Sequence, residues 1–259
     1  MGRAKAWLPW FGRSMIEHVV DCLLPAVDEV VVVTSAELDL PRLPARVVSD
    51  PAPERGPLAA IREGLAAAKA EYAFVTSVDA PHLSTKFVLE MFALGMPAAP
   101  VADDRVQVLS AIYPCDAWKK ADELLLQGVR RPLTLLEELA YKPIESASAG
   151  RCSGPSAWVG FNTPAEYLAA VRLRDPDATA DVELLGRAAK KTRVSRHRLP
   201  VGTLGEVLSR LPDSLSLIDE GRVAKPHLVS LGGRDLVRDL AVPVGPDENV
   251  CVIDALAGG

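Results

Sequence analysis

Two periodicities take turns over the first two thirds of this 259-residue sequence. EVVVVTS (Glu29–Ser35) is an almost unbroken β-branched run, the pattern of a parallel strand buried on both faces. ARVVSD (Ala45–Asp50) is a second short strand. GPLAAIREGLAAAKA then places Leu58, Ile61 and Leu65 at helical spacing, with Pro57 in a first turn where proline is tolerated. YAFVTSVDAP (Tyr72–Pro81) returns to strand and stops at proline. STKFVLEMFAL is a helix with Ser84 as N-cap, VQVLSAIYP a strand, CDAWKKADELLLQG a helix closed by Gly128, and RPLTLLEELA another helix. AWVGFNTPAEYLAAVRL gives a last strand, a turn and a helix starting near Thr163–Pro164. Such alternation predicts an α/β domain with a mostly parallel sheet and helices on both faces.

The rhythm breaks at RLRDPDATAD, a polar, proline-containing connector that places a boundary near Asp175, dividing the chain into 1–174 and 175–259. DVELLGRAA and TRVSRHRLP then form a hairpin, and TLGEVLSRLP a helix with Thr203 as N-cap and Glu206 at capping-box spacing. PHLVSLGG and NVCVIDA supply two more strands, and Cys251 is expected to be a small core residue. This ββαββ order suits a small α+β grasp around one helix. The sequence then stops on Gly258 and Gly259.

Charge and cysteine content narrow the function classes. With 34 acidic and 29 basic side chains and a formal charge of −5, the chain has no overall basic field to recruit nucleic acid. A polyanionic ligand must be held locally. Cys22, Cys115, Cys152 and Cys251 are scattered with no CxxC pair, which argues against a zinc site or a disulfide framework and for a reducing compartment. No apolar run is long enough to cross a membrane, and MGRAKAWLPW lacks the apolar core of a secretory signal. A cytoplasmic protein is expected.

Strand C-termini are the ligand edge of an open α/β sheet, and two carboxylates fall there, Asp50 and Asp79. Either could coordinate Mg2+ that bridges phosphate oxygens, or could simply cap a turn; residue spacing leaves both open. Gly56 stands where a loop becomes a helix and could let N–H groups approach a nucleotide, or could serve the turn alone.

In order and spacing, these stretches resemble the molybdenum cofactor guanylyltransferases, whose opening signature is roughly LAGGxSxRMGxxKxxLPxxG. MGRAKAWLPWFG matches its second half, with Met1, Gly2, Lys5, Leu8, Pro9 and Gly12 in place. SDPAPERGPLAAI resembles the family's D…GPLAG segment, TSVDAPHL its metal-binding CDxP strand end, and GFNTPAEY its N-x-NTPE segment, with Gly160 standing where the first asparagine often is. The matches cover about residues 1–171. The resemblance implies a Rossmann-like nucleotidyltransferase sheet, GTP and molybdopterin as substrates, and Mg2+ held by Asp79. It further implies a nucleotide site of Gly2, Lys5, Asp50 and Gly56, with Lys5 on the triphosphate, and Asn162 on the acceptor side. Met1 coincides with an internal methionine of the signature, so its first half, with the strand and glycine-rich turn it forms, is expected upstream.

The region from about Ala180 to Gly259 resembles the ubiquitin-like sulfur carriers of the MoaD/ThiS type, the small subunit of molybdopterin synthase. It carries the family's hairpin, a T-x-x-E-x-L helix, a GGR turn at Gly232–Arg234, and a terminal Gly-Gly. The resemblance implies a β-grasp domain whose Gly259 carboxylate is adenylated and converted to a thiocarboxylate. Its partners would be a MoeB-like adenylating enzyme and the molybdopterin synthase large subunit. The two resemblances together predict a bifunctional protein of molybdenum cofactor biosynthesis. The alternatives are a non-catalytic scaffold carrying an active sulfur-carrier tail, and a nucleotidyltransferase for another phosphate acceptor.

Overall fold

The computed structural model describes residues 1–93, 97–102, 104–145, 157–192 and 194–254. Its contacts form two compact units: Ile16–Gly160 is one, and Met1–Met15 with Phe161–Gly259 the other. Packing joins the first fifteen residues to the last third, and both sides of the connector near Asp175 fall in the same unit.

In the Ile16–Gly160 unit the element order is α1 (Met15–Leu23), β1 (Val31–Ser35), β2 (Arg46–Asp50), α2 (Pro57–Ala67), β3 (Tyr72–Thr76), α3 (Thr85–Ala93), β4 (Ala98–Ala102), β5 (Ser110–Pro114), α4 (Trp118–Leu126), α5 (Pro132–Glu138) and β6 (Lys142–Glu145). The helix signals hold locally. Gly56 adopts φ +81 immediately before Pro57, and Ser84 Oγ accepts the Phe87 N–H at 3.2 Å as an N-cap does. Leu58, Ile61 and Leu65 of α2 are buried against Ala111 and Tyr113 of β5 and Leu135 and Leu136 of α5.

The expectation of a mostly parallel sheet needs correcting. β1 and β2 are parallel, with Ser35 opposite Asp50, but they form a sheet of two strands on their own. In the second sheet β3–β5 and β4–β5 are antiparallel and only β4–β6 is parallel. The connection from β4 to β5 is too short to hold a crossover helix, and short connections join antiparallel strands. It instead carries a two-residue strand, Arg105–Val106, that folds back on β4, so VQVLSAIYP is not one strand: Val106 ends the short strand and the next begins at Ser110. The strand expected at AWVGF is absent among the described residues. Ala157, Trp158 and Phe161 are buried, but Trp158 packs on Phe87, and burial alone does not make a ladder.

The other unit contains α6 (Pro164–Arg174), β7 (Thr179–Leu185), α7 (Arg187–Lys191), β8 (Arg196–Pro200), α8 (Leu204–Leu208), β9 (His227–Leu231), β10 (Asp235–Val237) and β11 (Asn249–Asp254). Its five-stranded sheet runs β8-β7-β11-β9-β10, with β7 and β11 parallel at the centre and the remaining pairs antiparallel. The expected hairpin of β7 and β8 is present, with α7 inserted after Gly186 at φ +64. Alternate residues of the sheet (Val182, Leu184, Val229, Leu231, Val250, Val252) meet Leu204, Val207 and Leu208 of α8 in one core. Cys251 lies on the opposite face and is half-buried rather than core, and burial raises its thiol pKa. Among the described residues no helix is long and apolar enough to cross a membrane.

Candidate functional site

In the Ile16–Gly160 unit, the sequence-predicted carboxylates stand after strands. Asp50 is the last residue of β2 and is buried; its Oδ1 accepts the Ala52 N–H at 2.9 Å, closing an Asx-type turn toward Gly56. Asp79 lies in the turn that follows β3. Ser77 Oγ donates to Asp79 Oδ1 at 2.5 Å, a charge-assisted contact that fixes the carboxylate's orientation. A methyl group built on Gly160 would sit 3.1 Å from Asp79 Oδ1 and 3.2 Å from its carbonyl oxygen. The bare backbone of Gly160 therefore covers one side of Asp79, where a side chain would push it.

A single hard-oxygen donor oriented by a hydroxyl suits Mg2+, which keeps several waters and takes one or two carboxylates together with substrate phosphates. Among the described residues no three His, Cys, Asp or Glu side chains cluster into an all-protein metal cage. Asp79 fits the first kind of site.

The Met1–Met15 and Phe161–Gly259 unit brings Lys5 and Asn162 together. Lys5 Nζ donates to the Phe161 carbonyl at 2.7 Å and to Asn162 Oδ1 at 2.9 Å, and lies over the Phe161 ring. Asn162 is fixed from behind by α6. Glu166 Oε2 accepts the Asn162 N–H at 2.6 Å and the Thr163 N–H at 3.1 Å, while Thr163 Oγ1 accepts the Glu166 N–H, a full capping box. Those N–H groups, Asn162's first, hold the Glu166 carboxyl below the usual range. Gly2 has φ +66, and a methyl group there would meet Val242 at 2.9 Å, so the segment carrying Lys5 packs too closely for any side chain at that position. Gly258 and Gly259 lie outside the described residues.

Ser77 and Glu166 are the contributors not singled out from sequence. Glu166 was readable, since Thr-Pro-Ala-Glu has capping-box spacing; Ser77 carries no signal beyond its closeness to Asp79.

Residues 1–142 match the family model described as the MobA-like NTP transferase domain. The chain belongs to that family. It is similar to a probable molybdenum cofactor guanylyltransferase of Mycobacterium tuberculosis, 32% identical over 173 residues, covering 63% of this chain and 86% of the relative. It is also similar to one of Mycolicibacterium paratuberculosis, 34% identical over 146 residues, covering 53% and 74%. Among solved structures, molybdopterin-guanine dinucleotide biosynthesis protein A of Archaeoglobus fulgidus superposes with a TM-score of 0.55 at 20% identity, covering 66% of this chain and 91% of that one. That likeness is one of fold. The MobA-like chain is thus a nucleotidyltransferase by family, with an α/β fold of mixed sheets.

Proposed function

We propose that this MobA-like protein transfers GMP from GTP to molybdopterin with Mg2+ at Asp79, and that its C-terminal region is a sulfur carrier. The observation that carries the transferase reading is family membership over residues 1–142 joined to the Asp79 carboxylate held by Ser77 in the turn after β3. Relatives described as probable molybdenum cofactor guanylyltransferases support guanine and molybdopterin as the substrates. A phosphate oxygen of molybdopterin attacks the α-phosphorus of GTP, and the bond to the β-phosphate oxygen breaks to release pyrophosphate. No protein nucleophile is needed, so the chain's contribution is alignment and charge neutralisation. Ser77 orients the Asp79 carboxylate for the metal, which when bound neutralises phosphate charge. Lys5 supplies a cation for the triphosphate, Asn162 binds the acceptor, and Gly2, Asp50 and Gly56 shape the nucleotide loops. The test is transfer from GTP to molybdopterin by Asp79→Ala and Asp79→Asn, with thermal melting to confirm folding. Both are expected to lose about a hundredfold or more in kcat. Undiminished transfer by a folded Asp79→Ala protein overturns the metal role.

The carrier reading is supported by the strand order β8-β7-β11-β9-β10 with parallel central strands around α8, the arrangement expected of a β-grasp domain. In this reading a MoeB-like enzyme adenylates the Gly259 carboxylate, a sulfur source replaces the AMP, and the molybdopterin synthase large subunit receives the sulfur. Glycines suit such a tail because they thread a narrow channel without side chains. Incubation with adenylating enzyme, ATP and a sulfur source should give a mass gain of one oxygen-to-sulfur exchange at Gly259. The chain lacking Gly259 should give none, and an unchanged mass in the intact chain overturns the reading.

A further inference from the structure

Lys5 is carried by a single turn of 3-10 helix, Lys5–Trp7, closed by the Trp7 N–H on the Ala4 carbonyl and the Leu8 N–H on the Lys5 carbonyl, both at 3.1 Å. So short a turn does not hold itself in place. Side chains on either side of Lys5 fix it, and their partners lie in the last third of the chain. Before Lys5, Arg3 donates through Nη1 to Glu248 Oε1 at 2.5 Å and through Nε to Asp235 Oδ2 at 3.2 Å. After it, the Trp7 ring lies under the Arg234 guanidinium, whose Cζ is 3.4 Å from the ring centroid. Arg234 stands in the turn between β9 and β10, and Glu248, just before β11, is itself fixed by the Gly245 N–H at 2.9 Å.

Stability alone does not account for this choice of residues. The Arg3 and Glu248 side chains are only 4% and 1% exposed, and a buried ion pair is often no more stabilising than apolar side chains of similar volume; its best-attested use is to fix register. The Arg234–Trp7 stack is directional as well, because the guanidinium must lie over the ring face. Both devices specify where the segment sits. Between them stands Lys5, a point charge on a flexible stem, whose Nζ is aimed by the Phe161 carbonyl and Asn162 Oδ1. We propose that Arg234 and Glu248 are positioning residues for Lys5, acting through Trp7 and Arg3, so that the β9–β11 region is a working part of GTP binding as well as a carrier. The inference rests on the guanylyltransferase reading, in which Lys5 meets the triphosphate. Misplacing such a group by about 1 Å is enough to forfeit much of its effect.

The test measures GTP affinity in the presence of Mg2+ for the full chain, Arg234→Ala, Lys5→Ala and the two combined, with thermal melting to confirm folding. Arg234 is exposed, so its truncation spares the core, and Arg238→Ala, at another exposed arginine just beyond β10, controls for the lost charge. Arg234→Ala is expected to weaken GTP binding about tenfold, the loss of part of one charge-assisted hydrogen bond. In the Lys5→Ala background it should cost nothing further, because it acts through that residue. The paired variant Arg3→Met with Glu248→Met, in which both buried charges are gone, should melt near the parent and lose affinity to a similar degree, and Arg238→Ala should bind as the parent does. Parental affinity in folded Arg234→Ala, in the folded paired variant or in Lys5→Ala overturns the proposal. So does an equal loss with and without Lys5, or the same loss in Arg238→Ala, either of which would mean that surface charge alone is at work. A parent chain that binds no GTP overturns the guanylyltransferase reading and this inference together, whereas a parent that binds it with variants that match it overturns the positioning role alone.

Discussion

At the residue scale, Asp79 is defined by what surrounds it as much as by its own charge. Gly160 leaves it just enough room, and a β-carbon 3.1–3.3 Å from its carboxylate and carbonyl would force a shift of a few tenths of an ångström. Gly160→Ala is therefore expected to cost about 1–2 kcal/mol in stability, as overpacking does, and to weaken Mg2+-dependent transfer. In the Asp79→Ala background part of that cost should vanish, because the carboxylate is gone; equal costs in both backgrounds by urea melting would refute the contact. Glu166 gives a test by pH. Its folded-state pKa lies below its ordinary 4.5 because Asn162 and Thr163 N–H groups favour the anion. It thus adds stability that is present above 4.5 and is lost as pH falls through the lowered value. Glu166→Gln should flatten the acid limb of the melting-temperature profile below about pH 5; an unchanged limb counts against the capping role. Asp50, Asp79 and Gly56 were legible as residues at strand and helix ends. The closeness of Gly160 to Asp79 was not, because it joins positions far apart in sequence that no periodicity relates.

At the scale of elements, helix starts were the most legible features, because a cap is local chemistry. Thr203 and Glu206 form the reciprocal box that their spacing announced, on a helix of only five residues. A helix so short depends on its cap and on burial of Leu204, Val207 and Leu208. Thr203→Ala is expected to cost about 1 kcal/mol. Gly202→Ala should cost a similar amount by a different route, since its β-carbon would lie 2.5 Å from Glu206 Oε2 and dislodge the other half of the box. If denaturant melts place Gly202→Ala within error of the parent, Glu206 does not hold that position. Strand direction was the least legible feature. Pairing is non-local, and Val-Gln-Val-Leu-Ser-Ala-Ile-Tyr-Pro contains nothing that says where the chain reverses. β4 and β6 are illegible for a related reason: Ala98–Ala102 is rich in alanine with a proline, and Lys142–Glu145 is short with a proline and two charged residues, so neither has the β-branched alternation of a strand.

At the scale of the molecule, the pair Arg3–Glu248 binds the beginning of the chain to its last third. Arg3 Nη1 lies 2.5 Å from Glu248 Oε1, and the side chains are only 4% and 1% exposed. Glu248 also accepts the Gly245 N–H, and Arg3 reaches Asp235 as well. Burial pushes the Glu248 carboxyl up, and Arg3 and the Gly245 N–H pull against it without restoring the usual value. Because its folded-state value is raised, the contribution of Glu248 is fully present below 4.5 and fades as pH rises through the raised value. Removing one partner of a buried pair leaves the other charge stranded, so Arg3→Met is expected to destabilise this unit by about 3–5 kcal/mol at neutral pH. The loss should shrink near pH 5, because without Arg3 the carboxyl titrates higher still and enters the fold protonated. Replacing both as Arg3→Met with Glu248→Met removes both charges and should recover most of the stability at all pH values, since apolar replacement of a buried pair is often neutral or better. Thermal melts of the three proteins across pH 5–8 decide it. A double variant as weak as Arg3→Met would mean that Arg3 matters through packing or through Asp235, and that charge burial at Glu248 is not what joins the two ends of the chain.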